Sequence, residues 1–143
     1  MDHFERLMQM YHRAPVHDFY EGIQISVSGK KAEISLPIDR RYYHAGNTIH
    51  GSVYFKLLDD ACYFACQSVV TDFFLLTSSF HIHLLRPVSS GIITAVGKAD
   101  FVSMNLCTAS AELFNEKGKL VGSGQGQFMK SKLKLGDVEA YLR

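Results

Sequence analysis

Apolar residues recur along this chain with two different periods, and the switches between them mark out the elements. Phe4, Leu7, Met8 and Tyr11 fall at helical spacing behind Asp2, a residue type that caps helix starts, and Pro15 closes the segment. This predicts a short N-terminal helix (residues 1–14) with one apolar stripe to lay on something larger. From Ile23 to Val27 and from Ala32 to Leu36 the period drops to two, and Ser28, Gly29 and Lys30 join the runs, which is the pattern of a hairpin. Pro37 to Asn47 is polar and has no period, so it reads as a loop.

Gly51 to Val69 is the longest helical stretch. On a wheel of about 100° per residue, Tyr54, Leu57, Leu58, Ala61, Cys62, Ala65, Cys66 and Val69 fill one broad arc. Ser52, Lys56, Asp60, Tyr63 and Gln67 fill the opposite arc, and Asp59 falls at the margin between them. The broad apolar arc suits a helix pressed against a sheet, with Ala61 and Ala65 small enough for close approach. Four extended runs follow, Phe74 to Leu85, Gly91 to Phe101, Cys107 to Phe114 and Leu120 to Lys130. Turn-forming residues separate them, Asn115 to Gly118 being the clearest. Gly122, Gly124 and Gly126 share one face of the last strand, where they leave room for a close backbone or ligand. Residues 131–143 carry no element assignment.

Helix, two strands, long helix, four strands is the order of an α+β domain: an antiparallel sheet of about six strands with the long helix on one face. At 143 residues the chain is one domain, with no linker or repeat. Lys+Arg 15 against Asp+Glu 14 gives no field that would recruit bulk nucleic acid or an anionic membrane. No apolar run reaches the roughly 18 residues of a bilayer span, and the N-terminus lacks a secretory pattern. Cys62, Cys66 and Cys107 are odd in number and lie in apolar surroundings. They read as buried thiols in a reducing compartment, so a cytoplasmic protein is expected.

His50-Gly51-Ser52, running through Leu57 and Leu58 to Asp59 and Ala61, resembles the helix motif of the hotdog thioesterase superfamily, most closely its phenylacetate-degradation branch. That motif is a His-Gly-Gly at the helix start and a carboxylate just over two turns on. Thr77, leading through a strand to Arg86-Pro87-Val88, is a second match. The order of elements is also that of a single hotdog domain, helix as sausage and sheet as bun. The sequence departs from the pattern at Ser52, in place of the second glycine. His44 stands where the family has Asn or Gln, and Asn47 replaces a loop glycine.

The resemblance implies hydrolysis of an acyl thioester, carried on coenzyme A or on acyl carrier protein, with no cofactor and no metal. The Gly51 N–H, at a helix N-terminus, is the leading donor to the developing oxyanion, and the Ser52 N–H a second. Asp59 is the base or nucleophile, and partial desolvation at its marginal position is expected to raise its pKa. Asp60, deeper in the polar arc, is expected to be more solvated. Taken alone, Asp59 would read as an ordinary helix carboxylate paired with Lys56. His50 orders the loop or contacts the thioester, His44 takes over the family's amide role or is an exposed loop residue, and Thr77 positions water or serves only as a strand residue. Ser52, Asn47, Tyr63 and Arg86 are the expected substrate contacts. Family members form dimers, or dimers of dimers, by joining sheet edges, with His50 and Gly51 of one chain facing Asp59 of the other. Tyr42, Tyr43, Tyr54, Phe55 and Tyr63 near the motif fit an aromatic or medium-chain acyl group. Two other readings stay open. One is a hydratase or dehydratase, although its His-Phe-Pro-Gly run is missing. The other is a non-catalytic acyl-thioester binding protein. His81 and His83 share a strand face, but no third ligand stands at a suitable spacing, so a sheet surface or subunit contact is favoured over a metal pair. Cys62 and Cys66 have no basic neighbour to activate them and are expected to pack the core.

Overall fold

The computed structural model describes all 143 residues. Helix α1 (His3–Arg13) starts at Asp2, which accepts the Glu5 N–H while Glu5 accepts the Asp2 N–H, both at 2.8 Å. This reciprocal cap satisfies two donors that a helix start otherwise leaves free. The chain then makes a 3₁₀ turn over Pro15–Phe19, which the apolar pattern did not predict. Strands β1 (Gln24–Ser28) and β2 (Lys31–Pro37) form the expected hairpin. Helix α2 (Gly51–Gln67) follows, then β3 (Phe73–Leu84), β4 (Ile92–Val102), β5 (Leu106–Phe114) and β6 (Leu120–Lys134).

All six strands form one antiparallel sheet in the order β1-β2-β4-β5-β6-β3, so β1 and β3 are its edges. The sheet wraps α2, as a single hotdog domain should. Leu57, Leu58, Ala61 and Cys62 of α2 are fully buried in one core with Ile34, Leu36, Ile93 and Leu113 of the sheet. Each buried Leu or Ile contributes about 1.5–3 kcal/mol. A Cβ at Gly97 on β4 would stand 2.4 Å from the Ala61 carbonyl oxygen, so this glycine sets how closely α2 lies on the sheet.

Two expectations are corrected, one is made specific, and one unassigned segment is filled in. The polar arc of α2 is not a solvated face, because α1 and the 3₁₀ turn fold back over it. Asp60 is buried there to 15% side-chain exposure, and it, not Asp59, pairs with Lys56, at 2.5 Å. The room left by Gly122, Gly124 and Gly126 is taken by close backbone, the His83, His81 and Ser79 carbonyls of β3, and by two aromatic rings. The Tyr54 ring covers the first and the Phe80 ring the other two. The cysteines are not three thiols, since Cys66 and Cys107 form a disulfide from α2 to β5 with Cα atoms 5.9 Å apart, leaving only Cys62 free. Residues 131–143 are structured. They extend β6 and end in the single turn α3 (Glu139–Leu142), which is tied to α1 by His3 to the Tyr141 hydroxyl at 2.8 Å and Arg6 to the Leu142 carbonyl at 2.9 Å. No helix is long and apolar enough to cross a membrane.

Candidate active site

The start of α2 is built by a tight turn. The His44 N–H donates to the Thr48 carbonyl and the Asn47 N–H to the His44 carbonyl, each at 3.0 Å. Asn47 sits at φ 65°. Asparagine is the non-glycine residue that best tolerates this left-handed conformation, which explains why it can stand where the family has glycine. The His44 ring serves its own turn: Nδ1 accepts the Gly46 N–H and Nε2 bonds the Thr48 hydroxyl, both at 2.9 Å.

His50 is the N-cap of α2. Its Nδ1 accepts the Ser52 N–H at 3.0 Å, an assignment that puts the ring proton on Nε2. The Ser52 N–H is therefore committed and is not free as a second oxyanion donor. The Gly51 N–H has no acceptor within the chain. It opens onto a cleft of about 270 Å³ that also holds His44, Thr48, Leu84 and Arg86. Arg86 is fixed there by its bond to the Leu120 carbonyl at 2.8 Å. His50 and Ser52 turn the other way, into a separate cleft with Tyr20 and Tyr42.

Asp59 lies two turns further along α2. Its Oδ1 accepts the Thr77 hydroxyl from β3 at 3.0 Å. Burial raises the Asp59 carboxyl from 3.8 to about 6, against the Thr77 bond, which lowers it. Asp59 and Thr77 face a second cleft of about 280 Å³, walled mostly by apolar side chains, among them Tyr63, Phe64, Phe74 and Leu75. The Tyr63 hydroxyl is occupied by the Gln67 side chain at 3.0 Å, so the residue presents its ring.

Of the residues singled out from the sequence, Gly51, His44 and Arg86 gather around the helix start and Asp59, Thr77 and Tyr63 around its middle, while His50 and Ser52 face neither cleft. Eight residues at about 1.5 Å rise separate Gly51 from Asp59 by about 12 Å along the helix. Sequence reasoning missed the network behind Asp59. The Tyr11 hydroxyl donates to Asp60 at 2.6 Å, Lys56 pairs with the same carboxylate, and His17 meets Lys56 Nζ at 2.9 Å. Burial, and then the Lys56 charge, lower the His17 pKa. The only sequence signal for the network was the i,i+4 pair Lys56–Asp60. On the outer sheet face, His81 and His83 are exposed, with rings 4.7 Å apart. No group of three His, Cys, Asp or Glu comes together anywhere in the chain.

A long helix wrapped by one antiparallel sheet in the order β1-β2-β4-β5-β6-β3 is the hotdog fold. Residues 46–122, more than half of the chain, match the family model of the thioesterase superfamily, and the chain belongs to that superfamily. Among solved structures, the E. coli PaaI protein from the phenylacetic acid degradation operon matches with a TM-score of 0.82 at 21% identity, over 93% of this chain and 99% of that one. A conserved protein from Pseudomonas aeruginosa matches with a TM-score of 0.78 at 25% identity, over 86% and 97%. A Haemophilus influenzae thioesterase matches with a TM-score of 0.76 at 23% identity, over 90% of each. No curated protein sequence matches.

Proposed function

We propose that the protein hydrolyses acyl-CoA thioesters, with Asp59 as general base and the Gly51 N–H as oxyanion donor. The observation that carries this reading is the Asp59 carboxyl. It is half-buried, raised to about 6, oriented by Thr77 and open to an apolar cleft. A base with a pKa near the working pH combines a large ionised fraction with useful basicity. Asp59 takes a proton from water, whose oxygen bonds to the carbonyl carbon. Charge gathers on the carbonyl oxygen against the Gly51 N–H and the positive end of α2. The C–S bond then breaks, and the proton held by Asp59 passes to the departing thiolate, giving free acid and coenzyme A. Arg86, beside Lys117 and Lys119 in an adjoining polar cleft, offers cations for the phosphates of the carrier.

The 12 Å between Gly51 and Asp59 is too far for both to act on one carbonyl in a single chain. The reading therefore includes a dimer in which Gly51 of one copy faces Asp59 of the other. The long free edge of β3, which carries Thr77, supports this, because an unpaired edge of this length is a ready template for pairing.

The test is thiol release from a panel of acyl-CoA and acyl carrier protein thioesters, with Asp59→Asn alongside wild type. Turnover of CoA esters by wild type, reduced about 10² or more in the variant, is the expected result. Binding of acyl-CoA with no thiol released would move the protein to a binding role, and hydration of an enoyl-CoA without thiol release to a hydratase.

A further inference from the structure

The cleft at Asp59 has a wall that the helix motif does not supply. Met10 and Tyr11 of α1, and Ala14, Val16 and His17 just after it, line the cleft together with Asp59 and Thr77. This segment is anchored rather than loosely laid on. The Tyr11 hydroxyl bonds Asp60 at 2.6 Å, His17 Nδ1 meets the Tyr11 carbonyl at 2.5 Å, and His17 Nε2 meets Lys56 at 2.9 Å. Tyr11 also packs edge-on against Phe64 at 5.1 Å. Breaking such a buried network strands polar groups without partners, so the segment holds its position. The polar groups of the network satisfy one another, and the lining left for an occupant is mainly apolar.

We propose that the segment from Met10 to His17 is the end wall of the acyl-binding cleft, and that Met10 and Val16 set the length of acyl group accepted. The inference rests on the thioesterase reading above. An acyl chain whose carbonyl carbon sits at Asp59 has this apolar cleft directly before it. At about 30 Å³ for each water-sized group, the cleft of about 280 Å³ takes about nine non-hydrogen atoms. That admits a medium chain or one ring on a short linker, and it stops a long fatty chain at the wall.

Met10 is buried and Val16 is 45% exposed, so the two can be altered in opposite senses. Met10→Ala lengthens the cleft, and Val16→Phe fills its rim with little cost to folding. The experiment is kcat/KM for saturated acyl-CoA esters from butanoyl to hexadecanoyl, on full-length wild type and both variants. A few missing or added methylene groups change such ratios at least about tenfold. The dodecanoyl-to-hexanoyl ratio is expected to rise by that factor in Met10→Ala and to fall by it in Val16→Phe. If Met10→Ala does not fold, Val16→Phe decides alone. Active variants with the wild-type length profile would overturn the wall assignment and leave the thioesterase reading standing. Wild type that releases no thiol from any of these esters or from an aromatic acyl-CoA would remove both.

Discussion

Asp59 owes its properties to where three neighbours stand. Burial raises its carboxyl, the Thr77 hydroxyl lowers it, and Asp60, one residue on, adds repulsion that Lys56 offsets. The activity profile follows with a definite sign. In the proposed reaction the ionised form is the base, so kcat/KM is expected to rise with pH through about 6 and then level off. Thr77→Val removes the one bond to the ionised form and should move that rise to higher pH, as a kcat/KM profile of the variant would show. Stability runs the other way. The folded carboxyl is raised above its ordinary 3.8, so the folded state holds a proton that the unfolded chain gives up, and stability falls as pH climbs from about 4 to about 6. Asp59→Asn should abolish this dependence and raise Tm at neutral pH while activity is lost, a trade common at sites built for function. The marginal wheel position of Asp59 made its partial burial legible in the sequence. The fate of Asp60 was not legible, because its burial depends on a segment more than 40 residues away, from Tyr11 to His17, folding back over α2.

Elements whose periodicity is local were legible to within a few residues. Helix α2 and the hairpin of β1 and β2 lie where the alternation of apolar residues puts them. The 3₁₀ turn at Pro15 and the turn α3 are too short to show a period, and contacts made across the chain hold them instead. The glycine stripe of β6 was legible as open space, but its occupants were not. The Phe80 ring comes from the neighbouring strand β3 and the Tyr54 ring from α2, and only the register of the folded sheet brings them there. The Cys66–Cys107 pairing is of the same kind, since it joins elements 41 residues apart in sequence. Gly97 carries the sharpest prediction at this scale. A methyl group there meets the Ala61 backbone, which cannot swing aside as a side chain can, so Gly97→Ala should cost about 1–3 kcal/mol in denaturant unfolding. Gly29, whose Cβ would meet nothing, is the matched control.

For the whole molecule, the central question is whether two clefts at different levels of one helix combine into one site. Gly51 lies in one and Asp59 in the other, and β3 runs beside both at a free edge of the sheet, with Leu84 near Gly51 and Thr77 on Asp59. Antiparallel pairing of two such edges about a two-fold axis would set the Leu84 end of one strand beside the Thr77 end of the other. This would bring Gly51 of one copy to Asp59 of its partner. The most direct test uses two inactive variants. Asp59→Asn removes the base. Gly51→Pro removes the N–H and sets ring carbons against the Leu84 side chain, where a Cβ stands 3.2 Å from Cδ2. The backbone accommodates it, because proline is favoured at the first position of a helix and His50 already has the extended backbone that precedes proline. Each variant alone should be inactive. Co-expressed with different tags and purified as the heterodimer, they should regain thiol release at about half the wild-type rate per dimer, because one of two equivalent sites then has both groups intact. A heterodimer as inactive as its parents would contradict the shared site.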